Sequence, residues 1–220
     1  MDLLYQFFSQ LRLTEKITFF FSTAAFIISI YTLYKNHLER IKIFVYPSDF
    51  VGLVIQQGTE LVPKFNLMCN FVNKSAKLGA IHRIEANVVT PENTTLHFVW
   101  KLFYQYLPGG EVMTKQTDPY PITVSSKGSI LLGIQFEGPE LNQKYSWSEG
   151  RYKFELVGWV NRKHRGQRIN LKTKFHIKIS SVKANQLLHW ATADDKEWKE
   201  LKDPHNAVAV RIPVEEWAVV

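Results

Sequence analysis

Seven histidines, one cysteine and one adjacent pair of aspartates are the residues from which this 220-residue chain would have to build a catalytic or metal site. His37, His82, His97, His164, His176, His189 and His205 show no metal-ligand spacing, and a lone cysteine cannot complete a typical zinc set. Asp194-Asp195 falls at an expected helix start, where the backbone dipole explains it without chemistry. Cys69 alternates with apolar neighbours, which predicts a buried thiol and not a nucleophile. No glycine-rich phosphate loop and no nucleophile elbow occur. The expectation is therefore no catalytic residue, no metal, no cofactor and no small-molecule substrate. An enzyme would need a convergent set of titratable groups that a linear reading does not supply.

Binding is better represented. Asn161-Arg162-Lys163-His164-Arg165-Gly166-Gln167-Arg168 should cap a hairpin, and the solvent face of the following strand continues through Lys172, Lys174 and Lys178. A binding stripe of Arg162, Lys163, His164, Arg165, Arg168, Lys172 and Lys174 would attract the phosphate oxygens of lipid or nucleic acid, or an acidic protein. The aromatic on that strand, Phe175, should point inward, which weakens the case for nucleic acid because base stacking needs exposed rings. The competing reading is a solvated edge whose lysines oppose aggregation. Three of the six tryptophans, Trp190, Trp198 and Trp217, lie in the last forty residues. That tail either packs back on the preceding domain or docks a partner, for example by adding a strand to an exposed edge.

The elements that must carry these residues are mostly strands. Ile169, Leu171, Thr173, Phe175, Ile177 and Ile179 alternate with Arg168, Asn170, Lys172, Lys174, His176 and Lys178. Similar alternation runs through Phe65–Phe71, Ile130–Phe136 and Tyr152–Leu156, with further strands near 42–46, 51–56, 81–90, 94–106 and 111–117. Pro108-Gly109-Gly110, Lys127-Gly128 and Glu137-Gly138-Pro139 supply turns. About eight strands without intervening helices predict an antiparallel sandwich or barrel. Helices are expected at Ala184–Trp190 and Ala193–Leu201, the second capped by Thr192, followed by extended segments on either side of Pro213.

At Gly150-Arg-Tyr152-Lys-Phe154 the chain resembles immunoglobulin-like domains, in which such a pattern opens a late core strand with the tyrosine at its corner. The resemblance implies an immunoglobulin-like β-sandwich over residues 41–180, and it implies nothing about activity. A single cysteine departs from the disulfide of antibody-type members.

Residues 1–40 read as a membrane element. Ile17–Tyr34 carries no charge, and its eighteen residues would span about 27 Å as a helix, close to the ~30 Å hydrocarbon core. Thr14 is the expected N-cap. Thr18, Ser22, Thr23, Ser29 and Thr32 can bond back to helix carbonyls or to a neighbouring helix. No small-x-small cleavage pattern follows the run, which favours an uncleaved anchor over a signal peptide. Leu3, Leu4, Phe7, Phe8 and Leu11 have the spacing of a short interfacial helix ahead of the span. Phe7, Phe8, Ile17, Phe20, Phe26, Ile30 and Tyr34 would meet lipid.

Arg12 and Lys16 precede the span, and Lys35, Arg40 and Lys42 follow it, which places the large domain in the cytoplasm by a narrow margin. The sequons at Asn73 and Asn93 would matter only in an exported eukaryotic domain. The net charge of +7 suits anionic partners and plain solubility alike.

The expected function is a non-enzymatic, single-pass protein of the cell (inner) membrane. Its cytosolic β-sandwich (41–180) and tail (181–220) would bind a protein partner, a second copy or an anionic surface, and nucleic acid only weakly. The alternative is a membrane-perturbing effector of a bacterial antiviral (retron-like) or toxin system, gated through the soluble domain.

Overall fold

The computed structural model describes residues 12–35, 41–56, 62–106, 113–141, 146–161, 171–193 and 207–219, with backbone alone at 55–56, 105–106, 113–116, 207–208 and 216–219. The chain divides into two units, Met1–Arg40 and Ile41–Val220.

In the first unit, α1 (Leu13–Leu33) is a 21-residue helix, about 31 Å long at 1.5 Å per residue. None of its residues is buried within the protein, and Phe20 is 69 % exposed. It is long and apolar enough to cross a bilayer. The helix starts two residues earlier than the Thr14 cap expected from sequence implies. Its N-cap is Arg12, whose backbone N–H donates to the Glu15 carboxylate at 2.7 Å. Thr14 sits inside the first turn, where its carbonyl accepts from the Thr18 hydroxyl at 2.9 Å. Ser29 and Thr32 likewise donate to Ala25 and Ile28 carbonyls at 2.8 Å. Back-bonding of this kind lets hydroxyls sit in an apolar helix. The expected interfacial helix, with Phe7 and Phe8, lies outside the described residues.

The second unit contains ten strands: β1 (Ile43–Gln56), β2 (Lys64–Asn73), β3 (Gly79–Val89), β4 (Thr95–Tyr106), β5 (Met113–Thr117), β6 (Ile122–Val124), β7 (Ser129–Glu137), β8 (Gly150–Val160), β9 (Leu171–Ile179) and β10 (Ala207–Val219). Helix α2 (Ser181–Thr192) lies between the last two. The order β4-β7-β2-β1-β10-β9-β8-β3, with β3 hydrogen-bonded back to β4, closes an antiparallel barrel of eight strands. β5 and β6 flank β4 and β3.

The expected two-sheet sandwich is therefore corrected to a closed barrel. Alternation of period two is the same in both architectures, because it reports only that one face is buried. Closure depends on partner switches that the periodicity does not encode. β4 pairs with β3 from Thr95 to Val99, then with β7 from Val99 to Tyr104, across a bulge near Trp100. β10 pairs with β1 from Ala207 to Pro213 and with β9 from Val214 to Val219. Pro213, lacking an N–H, stands at that change of partner.

The described parts of the 181–220 segment are built into this unit. Ala207–Val219 is one continuous wall strand through Pro213, and α2 inserts Leu187 into the core. Ser180 caps α2 by accepting from the Lys183 N–H. Thr192, expected to start a second helix, ends α2 with its hydroxyl donating to the Leu188 carbonyl at 3.0 Å.

Aromatic rings fill the interior. Phe65 stacks on Phe136 at 4.8 Å, and Phe154 stacks on Phe175 at 4.8 Å. Phe65 meets Phe154 edge-on at 5.1 Å, and Trp147 meets Tyr152 edge-on at 5.4 Å. Eight strands leave a bore that side chains can fill, and here they do.

Candidate interaction surfaces

β9 alternates as the sequence requires. Leu171, Thr173, Phe175, Ile177 and Ile179 are buried, while Lys174 and Lys178 are exposed and Lys172 and His176 half-buried. The outward lysines are joined to an acid from the neighbouring strand. Glu155 on β8 stands opposite Lys174, and its carboxylate lies 2.7 Å from Lys172 Nζ and 3.5 Å from Lys174 Nζ. The hydrogen bond from Lys172 is the main cause that holds this carboxyl below the usual carboxylate range, with the charges of both lysines adding to it against partial desolvation. Arg162, Lys163, His164, Arg165 and Arg168 lie outside the described residues.

A second charged group was not visible in the sequence, because its members come from three strands. Glu85 on β3, nearly buried, pairs with Arg83 and lies 3.4 Å from His97 Nε2 on β4. The other ring nitrogen of His97 lies 3.0 Å from Asn87 Oδ1. Arg83 also sits over the Trp159 ring at 5.8 Å. The group holds a carboxylate, an imidazole and a guanidinium in one surface network, with no serine, cysteine or lysine among the contacts it makes here. Its members satisfy one another across the β8-β3-β4 wall.

Beside it, β3 and β4 separate beyond the Glu85–Val99 pair. The gap is a crevice of about 360 Å³ lined by His82, Arg83, Ile84, Val99, Trp100 and the Pro119-Tyr120-Pro121 segment. Tyr120 packs on Phe103 at 4.9 Å, and Trp100 lies 5.3 Å from the same ring. The buried indole N–H of Trp100 has no hydrogen-bond partner among the described residues. The only sequence signal here was the Pro-Tyr-Pro run, which reads equally as a loop.

Among the described residues no group of three His, Cys, Asp or Glu side chains could hold a metal ion. Cys69 is buried, and desolvation drives its thiol far above its ordinary range, away from nucleophilic chemistry. The sequon residue Asn73 is buried. Its amide donates to the Lys77 carbonyl at 2.7 Å and the Val124 carbonyl at 3.1 Å, and its oxygen accepts from Ser75. That side chain is occupied in holding two loops together. Trp190 is half-buried against His189, Trp217 belongs to β10 opposite Phe175, and Trp198 lies outside the described residues. Of the residues expected to meet lipid, Ile17, Phe20, Phe26, Ile30 and Tyr34 are all exposed on the first unit, and Phe7 and Phe8 lie outside the described residues.

No protein-family profile and no curated protein matches the chain. Solved structures with similar backbones include β-glucuronidase 2 of Bacteroides uniformis, at 10 % identity and a TM-score of 0.31 over 62 % of this chain and 13 % of that one. Another β-glucuronidase, of glycoside hydrolase family 2, matches at 10 % identity and 0.31 over 64 % of this chain and 11 % of its own. The putative ApaA protein of Bordetella pertussis matches at 6 % identity and 0.27 over 80 % and 90 %. The chain spans about an eighth of the two glucuronidases, and likeness at this level says nothing of activity.

Proposed function

We propose that this chain is a membrane-anchored, non-enzymatic binding module. α1 crosses the cell (inner) membrane once, and the β-barrel on its cytoplasmic side engages a protein partner or an anionic surface through the basic β8–β9 hairpin. The observation that carries the reading is α1 itself: an uncharged apolar run from Ile17 to Tyr34 with no side chain buried in the protein. Exposed apolar area of that size requires a cover, and a bilayer supplies it. The Gly150–Tyr152 corner supports kinship with immunoglobulin-like domains, since the Tyr152 hydroxyl donates back to the Ser148 carbonyl at 3.2 Å.

The test has two parts. The full chain should stay in the membrane pellet after alkaline carbonate washing, and a reporter fused after Val220 should be active only in the cytoplasm. Charge reversal at Arg162, Lys163, Arg165 and Arg168 should abolish cross-linking to partners in intact membranes. Extraction by carbonate, or cross-linking unchanged by charge reversal, would overturn the corresponding half.

A membrane-perturbing effector is the second reading, supported by the phenylalanines Phe19, Phe20, Phe21 and Phe26 crowded on an exposed helix. Overexpression should then collapse the signal of a membrane-potential dye. An intact potential at high expression removes this reading and leaves the first.

A further inference from the structure

The barrel carries its described loop charges at opposite ends. At the end where the chain joins β1, the 73–78 loop and the 124–128 turn are cross-bonded into one rim. The Asn73 amide bridges the carbonyls of Lys77 and Val124, the Lys127 N–H donates to the Ser75 carbonyl at 3.0 Å, and the Lys74 N–H donates to the Lys42 carbonyl at 3.0 Å. These bonds gather Lys42, Lys74, Lys77 and Lys127 on one rim, and residues 41–48, 72–80 and 121–130 contain no Asp or Glu. Leu78 projects from the same rim, 59 % exposed. The Lys74 ammonium rests 4.6 Å above the Phe44 ring, which holds its chain at the rim. At the other end, the β3–β4 loop holds Glu92 and no Lys or Arg, and the described parts of the β7–β8 loop, 138–141 and 146–149, hold Glu140 and Glu149; Lys144 of that loop lies outside the described residues.

We infer that the lysine rim seats the barrel on an anionic bilayer surface, with Leu78 entering the headgroup layer. The inference rests on the reading of α1 as a membrane anchor. Two arguments select lipid over other anions. The rim is the end of the barrel to which the segment from α1 is joined, and the six residue-to-residue steps from Lys35 to Ile41 reach about 20 Å at full extension. Ammonium groups around an exposed leucine also match a surface that is anionic outside and apolar just beneath, which neither nucleic acid nor a flat acidic protein face offers. The glutamates at the other end would be repelled by the same surface.

The test uses the full chain with an environment-sensitive NBD label at Leu78→Cys; the buried Cys69 thiol does not compete for it. The labelled chain is placed in nanodiscs of phosphatidylcholine alone or mixed with phosphatidylglycerol. A second label, at Asn93→Cys on the opposite end, is the control. Emission at position 78 should shift to the blue and rise at least about twofold in anionic discs only. The rise should be lost with Lys74→Gln/Lys77→Gln/Lys127→Gln, and also in 1 M salt, where the Debye length falls to about 3 Å. Position 93 should not respond.

Equal emission at position 78 in both disc types overturns the inference, as does a response that appears only on adding an oligonucleotide. A chain that enters the discs without the shift refutes the rim alone; one that fails to enter them refutes the anchor as well. Amide exchange of the unlabelled wild-type chain repeats the test without substitutions: protection of 74–78 and 125–128 must be greater in anionic discs.

Discussion

Gly150 opens β8 at φ +139°, a conformation that L side chains rarely adopt, and a methyl group there would stand 2.5 Å from the Pro91 ring. Gly150→Ala should therefore destabilise the barrel by at least ~2 kcal/mol, measured by urea unfolding followed through tryptophan fluorescence. Tyr152→Phe keeps the buried ring and removes only the hydroxyl contacts to Ser148, so it should cost about 1 kcal/mol. A different case is Lys64, buried at the junction of β2 and β7 with its ammonium 3.1 Å from Glu137. Glu137→Gln takes the carboxylate charge from buried Lys64 and from Lys101, 3.3 Å from its other oxygen, and should cost about 3 kcal/mol, whereas Lys64→Met with Glu137→Leu, which leaves only the exposed Lys101 to water, should recover part of the loss. Glu155 links stability to pH. Its carboxyl is lowered by Lys172 and Lys174, so its contribution is present above the unfolded-state pKa and disappears as pH falls through the lower folded value. Being partly solvated, it is worth less than ~1 kcal/mol, and wild type and Glu155→Gln should converge in stability only once the pH has fallen below the lowered folded value, as acid-side urea melts would show.

At the scale of elements, each strand that alternated in sequence is a strand in the barrel, and β9 is buried at every position the pattern assigned inward. The long apolar helix α1 was equally legible, because an uncharged run of helical length needs no tertiary context to be recognised. What the sequence could not display is the pairing. Pro213 read as an interruption, yet β10 runs through it, because a proline can stand where one neighbour ends and the next begins. Met68, an apolar residue at an outward position of β2, has a local reason to be there: it lies against Gly133, where a Cβ would sit 3.0 Å from its sulfur. The lysine stripe was legible as a face, but its partial neutralisation was not, since Glu155 lies on another strand. The rim was invisible as well. Lys42, Lys74, Lys77 and Lys127 are scattered along the sequence, and the Asn73 side-chain bonds, together with backbone bonds such as Lys127 N–H to Ser75 and Lys74 N–H to Lys42, bring their loops together. Asn73→Ala should accordingly loosen both loops at once. Amide exchange should rise at 74–78 and at 125–128, while exchange in the centre of β9 stays unchanged.

For the molecule as a whole, closure of the barrel waits on its last strand. Gly52 in the first strand is bonded to Arg211 in the last, about 160 residues away, which makes the closing contact one of very high contact order. During synthesis β1 must wait, one edge bare, while every other strand emerges. α1 by then has long left the ribosome, so with α1 acting as the proposed anchor the open sheet would mature as a tethered intermediate and not as a freely diffusing one. Tethering at low local density limits the edge-to-edge encounters that such an intermediate invites.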